Sequence, residues 1–493
     1  MKRILLFALL LLCLDAAAVS PERVVPGVRD AELLKGSLRV SGIPFKCDPE
    51  IGPAGRKAAA RLAADLSMAC GKTSTVTSPI GLAASVGSGS AKGIIFLHAD
   101  GMQPGEYHIS IGSRCAVVSA SSDEGIVHSA QTLRQLLPES IYGAADGEKA
   151  RWVLPCCEIH DGPEMAYRGL MLDCSRHFWS TAEIRRCLDL MEAFKLNSFV
   201  WHLSDDQGWR METDAFPQLN SIGSWREGTA TSDGSSDHER YGGFYSKDEI
   251  REIIRYAEER GITVIPEISL AGHVMAALAA CPGIGCTGGP YEAATGWGTF
   301  DELICPGKQQ SYEFVQTVLG EAAALFPSEY VHIGAADCPT TRLETCPDCQ
   351  AKIGGLGLHD RPGSTAEQQL LGHFVGQMAG MLASAGKKAV CREDVLDWMT
   401  AEQLLESGIT VICDDAARGA SAAAQGIPVI FTSAPAGGTA ALGIQEDVWT
   451  ENISTPEQLE RRLEDTLPQL SEKQWRASSD PEKISNLDNR KTE

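Results

Sequence analysis

The chain has 493 residues, 43% of them apolar, which supports two packed cores and excludes wholesale disorder. Its formal net charge is −22, with acidic residues spread along the chain rather than run together. Such a surface repels phosphates and excludes nucleic acid as a partner; a neutral or cationic substrate is easier to reconcile with it.

Residues 1–20 read as an export signal, with Lys2 and Arg3 at the basic end, an apolar stretch at 4–14 and Ala16-Ala17-Ala18 as the cleavage region. Lipoprotein anchoring at Cys13 is disfavoured because the bulky Leu12 precedes it. Periplasmic or extracellular export is therefore expected, and no other segment could cross a membrane. Residues 21–163 read as a small α/β domain. Helical spacing over 56–70 and 124–137 brackets strand patterns at 93–98, 107–111 and 116–119. Nothing in this part clusters catalytic residue types, so its expected role is to steady the next domain.

From residue 168 a strand, loop and helix pattern repeats. Strands are expected at 168–173, 198–203, 263–268, 330–333, 388–391, 410–413, 428–432 and 444–449. Helices are expected at 181–196, 246–260, 312–325, 366–385 and 457–470. Eight strands alternating with helices are the signature of a (β/α)8 TIM barrel, here spanning 164–475. Residues 433–443 are too few and too rich in glycine for a full helix, so the barrel is expected to be incomplete between its seventh and eighth strands. Residues 476–493 are polar and are expected to form a flexible tail.

Sixteen cysteines are many, and export would permit disulfides. Cys346-Pro347-Asp348-Cys349, with Cys338 nearby, has zinc-like spacing, but no second Cys or His pair follows at a suitable interval. A local disulfide or plain buried thiols are expected, with no metal or cofactor. Cys281, Cys286 and Cys305 share one loop region, where a bridge would pin a loop beside the barrel mouth.

The C-terminal ends of barrel strands are where chemistry sits. There the sequence places a run from Trp201 to Arg210, then Glu267, Ser269 and His273, then Asp337, and last Trp449-Thr450-Glu451. Trp201 and Glu267 lie on strands and are expected inside the barrel. Carboxylates, His and Trp converging on one mouth suit a sugar: rings stack on pyranose faces, charged groups bind hydroxyls, and a carboxylic acid can protonate a glycosidic oxygen.

The successive phrases Tyr-Arg-Gly-Leu-Met-Leu-Asp, Trp-His-Leu-Ser-Asp-Asp-Gln-Gly-Trp-Arg, Val-Ile-Pro-Glu-Ile and Trp-Thr-Glu resemble the family 20 glycoside hydrolases, the exo-β-N-acetylhexosaminidases, over nearly the whole chain. The resemblance implies retaining hydrolysis of glycans ending in N-acetylhexosamine, with the substrate's own acetamido group as nucleophile. It implies Asp337 as the acid, Arg168 and Glu451 as hydroxyl binders, and Trp449 as a wall of the pocket. Asp205 and His273 would support the acid. The family's fourth strand ends His-Ile-Gly-Gly-Asp-Glu, whereas this chain has Ala336 for the polarising Asp and Asp337 for the acidic Glu. Arg392 and Asp414 replace Trp residues of the acetamido pocket, and 433–443 is too short to carry the family's Tyr. These departures imply a weakened hydrolase or, alternatively, a catalytically silent relative that binds carbohydrate or protein.

Overall fold

The computed structural model describes residues 19–143, 150–230, 235–433, 435 and 439–476. The expected tail beyond residue 476, Cys13 and all but the end of the expected leader lie outside the described residues; Arg476, expected to begin the tail, instead ends a helix and donates to the Gly27 carbonyl. No helix among them is long and apolar enough to cross a membrane.

The first layer is a seven-stranded sheet in the order β1-β7-β5-β6-β4-β2-β3. Its strands are β1 (Asp30–Arg39), β2 (Phe45–Cys47), β3 (Val76–Thr77), β4 (Gly93–His98), β5 (Tyr107–Ile111), β6 (Cys115–Ala120) and β7 (Val153–Asp161). Helices Pro53–Cys70 and Asp123–Gln135 cover one face, burying Leu62, Leu66, Ile126 and Leu133 against Phe45, Phe96 and Val118. The pair β1 and β7 escaped the sequence reading for physical reasons. The edge strand β1 is largely exposed and carries a bulge between Leu33 and Ser37, which breaks any alternation. Its partner β7 holds Pro155, a residue rare within a sheet.

The second layer is a closed ring of eight parallel strands: β8 (Tyr167–Asp173), β9 (Ser198–Asp205), β10 (Thr263–Ile268), β11 (Tyr330–His332), β12 (Lys388–Arg392), β13 (Thr410–Cys413), β14 (Val429–Phe431) and β15 (Gly443–Val448). Tyr167, Met171, Val200, Ile265, Val390, Ile412 and Ile430 fill its floor. Helices outside the ring bury the larger apolar layer, which includes Phe199, Trp201, Val331 and Phe374. Trp201 belongs to this outer layer, not to the interior, because strand side chains alternate and Val200 and His202 take the inner face.

The ring does not open between its seventh and eighth strands. Ile430 pairs with Gly443 and Phe431 with Ile444, although the connection carries no helix among the described residues. Gly443 makes this closure possible, since a Cβ there would lie 1.8 Å from the Tyr167 carbonyl oxygen. The last helix, Pro456–Arg476, returns to the first layer: Trp475 is buried among the core side chains of the small sheet, and its indole N–H donates to Asp161 Oδ1 at 2.8 Å.

Candidate active site

Three strand ends and two loops build one mouth. Strand β9 delivers Asp205 and turns back at once, Gly208 pairing with Asp205, so that Asp205 and Asp206 sit together at a tight corner. Beyond β8, Asp173 accepts backbone N–H bonds from Ser175 (2.9 Å) and Arg176 (3.1 Å), which fixes the loop carrying Arg176. The buried Arg210 guanidinium donates to the carbonyls of Cys174, Ser175, Ser224 and Gly243, clamping the same loop from behind.

Arg176 is the hub. Its Nη1 lies 3.0 Å from Asp205 Oδ2, its Nη2 4.0 Å from Glu451 Oε1, and its guanidinium carbon 4.8 Å from the centre of the Trp449 ring. Asp205 also accepts from His202 Nε2 at 2.9 Å and lies 3.3 Å from His273 Nδ1. His273 bonds Asp206 at 2.8 Å, and its other nitrogen, Nε2, lies 3.6 Å from Asp337 Oδ2. The mouth thus joins Arg176, Asp205, His273, Asp337, Trp449 and Glu451 in one connected set.

Charge sorts these groups. Burial opposes ionisation of Asp205, but Arg176, His273 and His202 outweigh it and hold the carboxyl well below its usual range. Burial also works against a charged His273, yet Asp205, Asp206 and Asp337 together push it up to about 12, so the ring is an imidazolium at neutral pH. Asp206 is raised, first by burial and then by Asp205 beside it. The His273 hydrogen bond lowers Asp337, whose side chain is 67% exposed. Beside it, the carboxyl of Asp394 is raised by burial and by the Asp337 charge.

The backbone here is strained. Gly334, Ala335, Asp337 and His273 all have left-handed φ values, +73°, +65°, +47° and +55°. Three of the four are not glycine, and such residues cluster at functional sites.

The inner wall is ionic. Glu267 lies 3.2 Å from His202 Nδ1, 3.5 Å from His332 Nδ1 and 3.8 Å from Arg392 Nη2. Arg392 also pairs with Asp447 and stands 5.3 Å from the centre of the Trp449 ring. Against the penalty of burial, His332, His202 and Arg392 hold Glu267 far below the carboxylate range. Asp414, at the end of β13, accepts from Thr432 Oγ1 at 2.7 Å. The expectation that a buried Glu267 needs Arg or His partners matches this wall. Trp209 is buried, its N–H donating to Met211 O at 2.7 Å, and packs a loop.

Arg168 requires a correction. It is the second residue of β8, so it lies at the end of the barrel opposite the mouth. Its guanidinium is buried there, over the face of the Trp475 ring, and donates to the carbonyls of Lys195 and Met165 and to Glu124 Oε1 at 2.7 Å. It joins the two layers and cannot reach a ligand at the mouth. The arginine at the mouth is Arg176, three residues beyond the end of the same strand. The rule that chemistry sits at C-terminal strand ends would have favoured it. Asp206, Glu267 and Arg392 likewise sit at or just beyond strand ends, and all three belong to the ionic network.

The chain matches the glycosyl hydrolase family 20 catalytic domain over residues 165–437 and that family's domain 2 over residues 22–162. It is 37% identical over 292 residues to a β-hexosaminidase of Porphyromonas gingivalis, covering 59% of this chain and 36% of that protein. It is 34% identical over 282 residues to a β-hexosaminidase of Akkermansia muciniphila, covering 57% and 54%. The chain therefore spans between about a third and a little over half the length of these relatives. The structure is similar to that of the family 20 exo-β-N-acetylglucosaminidase of Vibrio harveyi in complex with N-acetylglucosamine. The TM-score is 0.79 at 27% identity, with 97% of this chain and 78% of that chain covered. By sequence and by the closed barrel behind its small sheet, the chain belongs to glycosyl hydrolase family 20.

Proposed function

We propose that the chain is an exported β-N-acetylhexosaminidase-type hydrolase that removes terminal N-acetylhexosamine with retention of configuration, at a rate below what the fold supports. The observation that carries this reading is the connected mouth: Arg176 and Glu451 beside the Trp449 ring, and Asp337 on His273. Arg176 and Glu451 bind hydroxyls of the terminal sugar, and Trp449 packs against its ring. Asp337 gives its proton to the leaving oxygen while the substrate's acetamido oxygen attacks the anomeric carbon; Asp337 then takes a proton from the water that completes hydrolysis. Lys2, Arg3 and the apolar stretch behind them support export.

Two features weaken the chemistry. Ala336 offers no charge to the cation that forms as the acetamido group closes on the sugar, which forfeits on the order of 3 kcal/mol. Asp337 is a methylene shorter than a Glu, and a shortfall of about 1 Å costs on the order of a hundredfold. The test is release of chromophore from an aryl N-acetyl-β-glucosaminide by the unmodified chain and by the Ala336→Asp, Asp337→Glu double variant. Slow turnover that the double variant raises by on the order of ten-thousandfold supports the reading. No turnover by either protein defeats it.

The second reading is a silent relative that binds sugar. It is favoured by the His273 contact, which holds the Asp337 carboxyl below its ordinary range and so favours the ionised form. In this family an aspartate-to-alanine variant of the Vibrio harveyi enzyme is inactive, and an aspartate-to-alanine variant of Streptomyces plicatus β-hexosaminidase holds its product N-acetylglucosamine. Heat of binding from N-acetylglucosamine without chromophore release would select this reading.

A further inference from the structure

We propose that Cys286, Cys305, Cys346 and Cys349 form a tetrathiolate zinc site that clips together the loops following β10 and β11. The four sulfurs come from two loops yet all lie within 4.8 Å of one another. The individual separations are 3.4 Å for Cys305 to Cys349, 3.7 Å for Cys305 to Cys346 and 3.9 Å for Cys286 to Cys349. Zinc–sulfur bonds of about 2.3 Å in a tetrahedron put neighbouring sulfurs about 3.8 Å apart. Cys305 approaches both Cys346 and Cys349, and Cys349 approaches both Cys286 and Cys305. The set is one group of four rather than two separate pairs.

The surrounding backbone is shaped for such a site. Cys346 and Cys349 sit at the start and in the first turn of helix Pro347–Leu356, where free N–H groups and the helix dipole favour thiolates. Cys286 follows the short turn Pro282–Ile284, and the Cys305 N–H bonds Ile284 O at 2.8 Å, which aligns the two strands of the first loop. Gly307 lies flat against the Cys349 turn, since a Cβ there would come 2.3 Å from the Asp348 carbonyl carbon. Three of the four cysteines are buried. A tetrahedral site of four thiolates and no open position has the character of a structural zinc site. His273 lies on the first of these loops and Asp337 on the second, so the clip fixes the spacing across which they meet.

The sequence hid this site because Cys305 and Cys286 precede Cys346 by 41 and 60 residues and are not themselves a close pair. Asp205, Asp206 and His273 also lie close enough to hold a cation, but they are the carboxylates and imidazole of the mouth.

The test is metal analysis of the full chain purified without added metal, with X-ray absorption at the zinc edge. About one zinc per chain, in a shell of four sulfurs at about 2.3 Å, is expected. Cobalt substitution should give thiolate charge-transfer absorption and the intense visible bands of a tetrahedral site. In the Cys346→Ser, Cys349→Ser variant the zinc should be lost and the melting temperature lowered. If that variant does not fold, the absorption edge and the cobalt spectrum of the unmodified chain decide. Iron in place of zinc, a nitrogen and oxygen shell, zinc retained by the variant, or disulfide-linked peptides among these four cysteines would each overturn the proposal.

Discussion

Arg168 and Arg176, eight residues apart, take different roles because they lie at opposite ends of one strand. Arg168 enters β8 and is buried between the layers; Arg176 leaves it and meets Asp205 and Glu451. Arg176→Ala should weaken binding of N-acetylglucosamine by roughly a hundredfold, the worth of a charged hydrogen-bonded contact, as read by calorimetry. Arg168→Ala should instead cost about 3 kcal/mol of stability in urea unfolding, because it strands Glu124, while sugar affinity stays unchanged. Titration separates the groups further. The folded pKa of His273 is raised from 6.5 to about 12, so its contribution to stability is full below pH 6.5 and fades as pH rises toward 12. Asp205 is depressed, so its contribution is present above the ordinary carboxylate range and is lost as pH falls. Urea midpoints should therefore decline on the alkaline side, and His273→Gln should flatten that decline. Because His273 keeps Asp337 ionised, chromophore release should rise as pH falls from 7 towards 4 and show no bell centred near neutrality. A rate maximum near pH 7 would show that Asp337 is not the proton donor.

At the scale of elements, ring closure depends on contacts that no local propensity favours. Strand β14 is three residues long and meets β15 through two residue pairs, with no crossover helix among the described residues to reinforce it. Gly443 lies against Tyr167 on the other side, so one glycine serves both seams of the ring. Gly443→Ala pushes a methyl into backbone that has no side chain to move aside, and should destabilise the barrel by about 3 kcal/mol in urea unfolding. A loss below about 1 kcal/mol would show that the seam is looser than its contacts indicate.

Across the whole molecule, the C-terminal helix makes the two layers one unit. Trp475 is buried in the core of the small sheet, under the cations of Lys195 and Arg168, and bonds Asp161. Lys195 itself lies 3.1 Å from Asp161, fully buried. Trp475→Ala should cost about 3–5 kcal/mol and split a single calorimetric transition into two, one for each layer. One undivided transition in the variant would assign the coupling to other contacts, such as the pairs between Arg61 and Glu192 and between Lys57 and Glu259.

The sequence alone determined the strand and helix succession from Tyr167 to Val448, because buried parallel strands carry continuous apolar runs and the helices between them keep a clean period. It also determined that carboxylates, His and Trp gather at strand ends, since β/α alternation dictates which end of each strand faces the mouth. Only the tertiary structure decided which arginine serves that mouth, that Trp201 faces outward, that the ring closes at Gly443, and that cysteines from two separate loops share one point in space. Those outcomes depend on register, burial and loop path, which arise when distant segments pack, and no local pattern of residue types encodes them.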